Sequence, residues 1–389
     1  MKTFTLVIFL FLCLIQPYIY GFSVFYIIIL LPLVFFWKLY KLQKTEFSLI
    51  ISMIILIAFN IILGLLKSGE FNQRLIFIFT LNILIFFLSK LIIIYFYDKK
   101  TEPYINKTIF LAIFINSIFI IIINLGIINK DIFYSIIMTN PLVFEYPIPR
   151  YPGFTYDAFS YISTLTAFCF IFLFRNYFNF KKINILQLSF FSLITLAAIV
   201  FSGRTGILLA LIYFLLFLIL SKNKLSSIKF SLIVIVIVML SLSIDWYSFE
   251  WMKTWAFGFI NNILSGDSIK NSDSSVTGVL QSLFLPKNLL FGDQITFSDV
   301  KSDLGFVRLL TSSGIIGLLL TITIFYAPYF FAAVKYNSLV LFILTASLLF
   351  LNFKDVYLVS PYGHFVLLNI YFCFSIANKK QKNGNGNEN

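Results

Sequence analysis

Apolar runs of about 17 to 25 residues, the length that crosses a hydrocarbon core, follow one another along most of this chain with short polar stretches between them. Twelve runs predict spans near residues 4–20, 22–37, 47–66, 75–97, 108–128, 158–174, 184–201, 206–220, 230–244, 309–333, 338–352 and 365–377. The alternating segments of about ten residues that mark a membrane β-barrel do not occur in the sequence. The pattern predicts an all-α, polytopic integral membrane protein with a single transmembrane domain over residues 1–389. Gly21 is the turn between the first two runs, which form either a tight hairpin or one broken helix. Lys2 with Phe4 to Ile15 has the outline of a signal peptide, but Gln16-Pro17-Tyr18 and Tyr20-Gly21 offer no small-residue cleavage site. The run is therefore read as a first helix.

One long polar segment interrupts the series. Residues 245–308 hold Asp245, Glu250, Asp267, Asp273, Asp293, Asp299 and Asp303, seven of the chain's 16 acids. The segment closes on Ser302-Asp303-Leu304-Gly305-Phe306-Val307-Arg308, an acid and a base at the edge of the next span. It opens with Trp246, Trp251 and Trp255 among Phe249, Phe257 and Phe259, a grouping that suits a helix in the membrane interface and, more sharply, stacking on sugar rings. The tail over 378–389 ends in Asn383-Gly-Asn-Gly-Asn-Glu-Asn and is expected to be disordered.

Composition and charge fix the class and the orientation. With 60% hydrophobic and 12% charged residues, the chain cannot cover a globular surface in water. With the N-terminus inside, the short inner segments carry 17 bases against four acids, and the outer ones 11 against 12. Short cytoplasmic loops hold such an excess of Lys and Arg, so both termini are expected in the cytoplasm and residues 245–308 outside it. The net charge of +13 then reflects topology and not nucleic-acid binding. No Gly-x-x-x-x-Gly-Lys signature occurs, which argues against an ATP-driven machine. Cys13, Cys169 and Cys373 each lie inside an apolar run and read as fillers, without a disulfide framework or thiolate metal cluster.

The outward loops hold the candidate chemistry. Arg204, in Phe201-Ser202-Gly203-Arg204-Thr205-Gly206, joins two spans with almost no loop. An arginine at a span's centre costs about 2.5 kcal/mol or more, so it is read either as a snorkelling residue or as a fixed cation beside backbone N–H groups suited to phosphate. Arg150 follows Pro147 and Pro149 in a loop stiffened by Pro141 and Pro152 as well, a platform more than a hinge. The plainer reading pairs it with Glu145 or Asp157. On a continuous helix Asp303 and Arg308 would lie about 140° apart; Asp303 is therefore placed just before the helix, as a cap or a base. Gly314 and Gly317 thin the following helix for close packing. His364, the one histidine, suits proton transfer but is also an ordinary interfacial residue, and alone it makes a zinc site improbable.

Three stretches together resemble the Wzy-type O-antigen and capsule repeat-unit polymerases, with a more distant likeness to O-antigen ligases. They are Arg150-Tyr-Pro-Gly-Phe-Thr-Tyr-Asp157, Ser202-Gly-Arg-Thr-Gly206, and Phe291-Gly-Asp293 leading to Asp303-Leu-Gly-Phe-Val-Arg308 and Gly314-Ile-Ile-Gly317. The likeness runs from about residue 140 to the last span; the first 140 residues match in hydropathy alone. Ligases carry a His-Asn pair eleven residues before the first glycine of Gly-x-x-Gly, where this chain has Asp303 and Leu304, which favours a polymerase. The chain departs from polymerases that repeat an Arg with a Gly eleven residues on, because none of its five arginines has one.

The resemblance implies a GT-C-like membrane glycosyltransferase of the bacterial inner membrane, serving lipopolysaccharide or capsule biosynthesis. Its substrates would be undecaprenyl-diphosphate-linked oligosaccharides, with no cofactor and no metal in the scheme. It also admits a chain-length regulator and a flippase as partners, beside membrane lipid. Carried over residue by residue, Arg204 and Arg308 would bind the diphosphate and Arg150 the donor or acceptor. Asp303 would be the base with His364 as runner-up, and Tyr151, Asp157 and Trp255 would contact substrate. The rival class is a lipid-oligosaccharide flippase, which should hold ionisable residues within its spans; here Lys90 is the embedded one.

Overall fold

The computed structural model describes residues 2–35, 42–67, 72–96, 102–139, 151–155, 160–179, 183–220, 285–293, 304–353 and 361–384. Asp303, Arg150, Asp157, Trp255 and the expected span at 230–244 lie outside them. The described chain is helical, and five helices are long and apolar enough to cross a membrane: Lys44–Leu66, Gln73–Phe96, Pro103–Asn124, Ile185–Ser202 and Gly305–Lys335. Shorter apolar helices over Thr3–Ile15, Val24–Val34, Thr205–Ile219, Leu339–Leu351 and Gly363–Ser375 accompany them. The chain divides into two compact units, Met1–Ile27 with Pro103–Ser272, and Ile28–Glu102 with Asp273–Asn389.

The first unit starts with α1 (Lys2–Ile15), which stops earlier than the expected span. Pro17 disfavours helical backbone at the preceding residue, and Gln16 sits at φ 52°. A hairpin follows, β1 (Tyr18–Ile19) and β2 (Phe22–Ser23), turned on Tyr20 and Gly21, both at positive φ. The turn at Gly21 thus joins strands and not helices. β3 (Ile137–Met138) pairs antiparallel with β1 and makes the sheet order β2-β1-β3. After the short α2 (Val24–Ile28) and α3 (Leu31–Val34), the latter in the second unit, this unit resumes with α6 (Glu102–Asn124). That helix closes on Gly126, with Ile127 N bonded to Ile122 O and Gly126 N to Ile123 O, the glycine-terminated pattern that satisfies the last carbonyls. Asn129 caps α7 (Lys130–Ile136). α8 (Ser160–Phe174) then packs against α9 (Ile185–Ser202) and α10 (Arg204–Leu220). A capping box of Asn184 and Gln187 opens α9.

The second unit is built on α4 (Lys44–Lys67) and α5 (Gln73–Phe96), with α11 (Gly305–Phe325), α12 (Ala327–Lys335), α13 (Leu339–Leu351) and α14 (Pro361–Gly384). α14 lies along α5 and α11 packs on α4. Phe79 stacks on Phe325 and Phe86 meets Phe372 edge-on, at 5.8 and 5.0 Å between centroids. The expected continuous span at 309–333 is interrupted twice. Gly314 takes φ 69° inside α11, and the helix restarts at Ala327-Pro328 after Tyr326 leaves helical geometry. Proline is welcome at a helix start, where its missing N–H has no helical partner. α14 extends to Gly384 and so takes in the beginning of the tail expected to be disordered.

Candidate functional site

Each of the three motif stretches has a described segment held in place by its surroundings. In the first unit, residues 151–155 lie along α6 and are gripped by two of its asparagines. Asn124 donates from Nδ2 to Tyr151 O at 3.0 Å and accepts Tyr151 N–H at 3.3 Å. Asn116 donates to Pro152 O at 3.2 Å and accepts Phe154 N–H at 2.8 Å. A primary amide offers one donor and one acceptor side by side, so each asparagine pairs with main chain as a neighbouring strand would. Gly153, at φ 72°, passes so close that an added Cβ would stand 2.5 Å from Asn116 Oδ1. Thr155 donates its hydroxyl to Ile15 O, and Tyr161 reaches Leu14 O at 2.7 Å.

Aromatic packing completes the grip. Phe154 meets Phe119 at 4.4 Å, Phe133 at 5.1 Å and Phe11 at 5.4 Å. Tyr151 is buried beside Tyr134, and Lys130 lies over its ring at 5.4 Å. Hydrogen bonding to Tyr151 raises the Lys130 pKa, and burial pushes the Tyr134 phenol well above its ordinary range. The Tyr151 ring therefore anchors the segment that follows Arg150. The helices that do the gripping, α1 and α6, precede the region covered by the polymerase resemblance.

The Arg204 stretch is a one-residue interruption. Gly203 ends α9 with its N–H on Ile199 O at 2.8 Å, and Arg204 opens α10. Gly206 N–H donates to Gly203 O at 3.2 Å, and an added Cβ on Gly206 would stand 2.5 Å from Ser163 O of α8. The tight junction thus fixes the backbone that carries Arg204. The first unit contains Arg204 and Tyr151, the second Arg308 and His364.

In the second unit, residues 285–293 dock on the break in α11. Asp293 N–H donates to Thr311 O at 2.7 Å, while Ile315 N and Ile316 N donate to Leu289 O and Leu290 O at 2.9 and 3.3 Å. Main-chain groups released by the break are thereby satisfied by protein, a condition for irregular backbone at membrane depth. The two glycines of the motifs meet there. An added Cβ on Gly314 would stand 2.2 Å from Leu290 O, and one on Gly292 2.5 Å from Thr311 O. The first two N–H groups of the second half-helix are thus taken by carbonyls of the docked segment. An added Cβ on Gly317 would stand 2.4 Å from Ser313 Cβ of its own helix and 3.3 Å from the Phe59 ring of α4, so this glycine also lets the two helices pack closely. Arg308, half-buried, lies on the half-helix before the break, which starts at Gly305 with Leu304 as its N-cap.

His364 is the fourth residue of α14 and is buried at 2% exposure. Its Nδ1 lies 3.1 Å from Asn82 Oδ1 of α5, inside a ring of Phe325, Tyr326 and Tyr329. Farther along the same seam Asn369 donates to Ser89 Oγ at 3.4 Å. Near the start of α4, Glu46 is buried in an ion pair with Lys90. The charge pattern counted Glu46 with an inner loop; burial of its partner Lys90, 44 residues on, draws it into the helices, because an unpaired charge there is costly. Asn116, Asn124 and Glu46 were missed by sequence reasoning; polar residues isolated in apolar helices were the available signal. Among the described residues no cluster of His, Cys, Asp and Glu suits a metal ion. No protein-family model matches the chain, and no curated protein matches it.

Proposed function

We propose that the chain is a polysaccharide repeat-unit polymerase of the bacterial inner membrane, with twelve spans, inner termini and an outer loop over 245–308. The observation that carries this reading is the docking of Phe291-Gly-Asp293 on the break at Gly314, since two motifs drawn from the resemblance form one built structure on the helix that carries Arg308. In the reaction, a sugar hydroxyl of a new lipid-linked repeat attacks the anomeric carbon of the growing glycan. The new glycosidic C–O bond forms as the bond to undecaprenyl diphosphate breaks, and the hydroxyl proton passes to Asp303. Negative charge grows on the departing diphosphate. Arginines are permanently charged and bind its oxygens bidentately, a role we give to Arg204 and Arg308, with Arg150 on donor or acceptor, Asp157 and Trp255 along the glycan, and the buried Tyr151 anchoring the segment that follows Arg150. His364, enclosed by rings and bonded to Asn82, is the second choice for the base.

Arg204→Ala should leave the protein in the membrane and abolish long polymer, read on a surface-glycan ladder; wild-type lengths from that variant would refute the assignment. Arg204→Lys would be harmless if the residue were only an anchor.

A second reading, a lipid-linked oligosaccharide transporter, gains from one observation. The buried Glu46–Lys90 pair and the Asn82–His364 contact place ionisable side chains inside helices of the second unit, as transport pathways do. Purified protein in vesicles with lipid-linked repeats separates the two: covalent lengthening marks the polymerase, transfer across the bilayer without lengthening the transporter.

A further inference from the structure

We infer that Asp293 is a positioning residue for Arg308, and that the segment it ties is a brace across the broken helix. This rests on the polymerase reading for the role of Arg308 and on geometry for the brace.

Both carboxylate oxygens of Asp293 are engaged by main chain, Oδ2 by Lys287 N–H and Oδ1 by Asn288 N–H, each at 3.0 Å. Asn288 closes the same turn, accepting Phe291 N–H on Oδ1 at 3.1 Å and Gly292 N–H on its carbonyl at 2.7 Å. The turn made in this way presents Leu289 O and Leu290 O to the second half-helix, and the Asp293 N–H to Thr311 on the first. One residue thus shapes the turn with its side chain and bonds the broken helix with its backbone. Because both oxygens of this carboxylate tie the turn together, the acid of the Phe-Gly-Asp stretch is assigned to architecture.

The consequence for Arg308 follows from a lever. Six residues separate it from Gly314, about 9 Å along a helix. A tilt of about 10° at the break would carry its backbone through about 1.5 Å, and a misplacement of about 1 Å can cost on the order of 100-fold in rate. Gly314 at φ 69° ends the helical geometry that would otherwise fix this angle. The brace replaces it with bonds from Thr311, Ile315 and Ile316 to the docked turn.

The test combines kinetics with a probe that needs no activity. In vesicles supplied with lipid-linked repeat units, Asp293→Ala should lower kcat about 10- to 100-fold with protein level and KM little changed. In an Arg308→Ala background the same substitution should cost less than about twofold, because the residue it positions is gone. Equal losses in both backgrounds, or no loss in either, would overturn the inference. The three native cysteines are buried, so Arg308→Cys can take a spin label selectively. Asp293→Ala should raise the mobility of that label, and Asp293→Asn, which keeps one acceptor oxygen, should raise it less. Unchanged mobility overturns the brace even if the enzyme polymerises. Absence of polymer from the wild-type protein refutes the proposed function, while the label still decides whether Asp293 holds the helix.

Discussion

Residues 151–155 and 285–293 are short glycine-bearing segments beside long apolar helices, but they are held by opposite means. Apart from the main-chain bridge of Thr155 to Pro17, the first is gripped by side chains, because α6 is intact and its backbone groups are consumed within it. Asn116 and Asn124 supply the donors and acceptors instead. The second is gripped by backbone, because α11 is broken at Gly314 and its released main-chain groups are what the segment bonds to. A grip made of side chains is adjustable by mutation one contact at a time. A grip made of main chain can be changed only indirectly, through the side chains of Asp293 and Asn288 that shape the turn or through its glycines, and the glycines offer no slack.

The largest effect is therefore expected at Gly314. In Gly314→Ala a Cβ would press on Leu290 O in a backbone conformation that L-residues avoid, and no side-chain change can relieve it. The cost should be about 3 kcal/mol or more, seen as a lowered unfolding midpoint in detergent with loss of polymer. Gly153→Ala comes next, at about 1–3 kcal/mol. Here the obstruction is the Asn116 side chain, so in an Asn116→Ala background the steric part should vanish and only backbone strain remain. Additive losses in that pair would break the contrast drawn between the two grips. The smallest effect belongs to Asn124→Ala, which leaves Tyr151 N–H and C=O without the amide. About 1–2 kcal/mol is expected, measured by the same unfolding midpoint, with membrane insertion unaffected.

The apolar runs were legible because a membrane span is a local property: its length and composition suffice to name it. Helix ends were less legible: the expected spans at 4–20 and 108–128 run past Pro17 and Gly126, although the helices stop at Ile15 and Asn124. The break in α11 was half legible. Gly314 and Gly317 drew attention as packing glycines, and Gly317 is one, but an apolar run reads the same whether its helix is whole or interrupted. Nothing near Gly292 in sequence shows that it will meet Thr311 and Gly314. Glu46 was assigned to a loop for a similar reason, since its burial depends on Lys90 from another helix.

Sequence alone determined the helical class and the succession of apolar elements, because hydrophobic length acts residue by residue. Tertiary structure alone decided which glycines make close contacts, which asparagines act as main-chain partners, and that Asp293 spends its carboxylate on Lys287 and Asn288. Those outcomes turn on distances of about 3 Å between hydrogen-bonding groups, and only the folded chain brings the partners that close together.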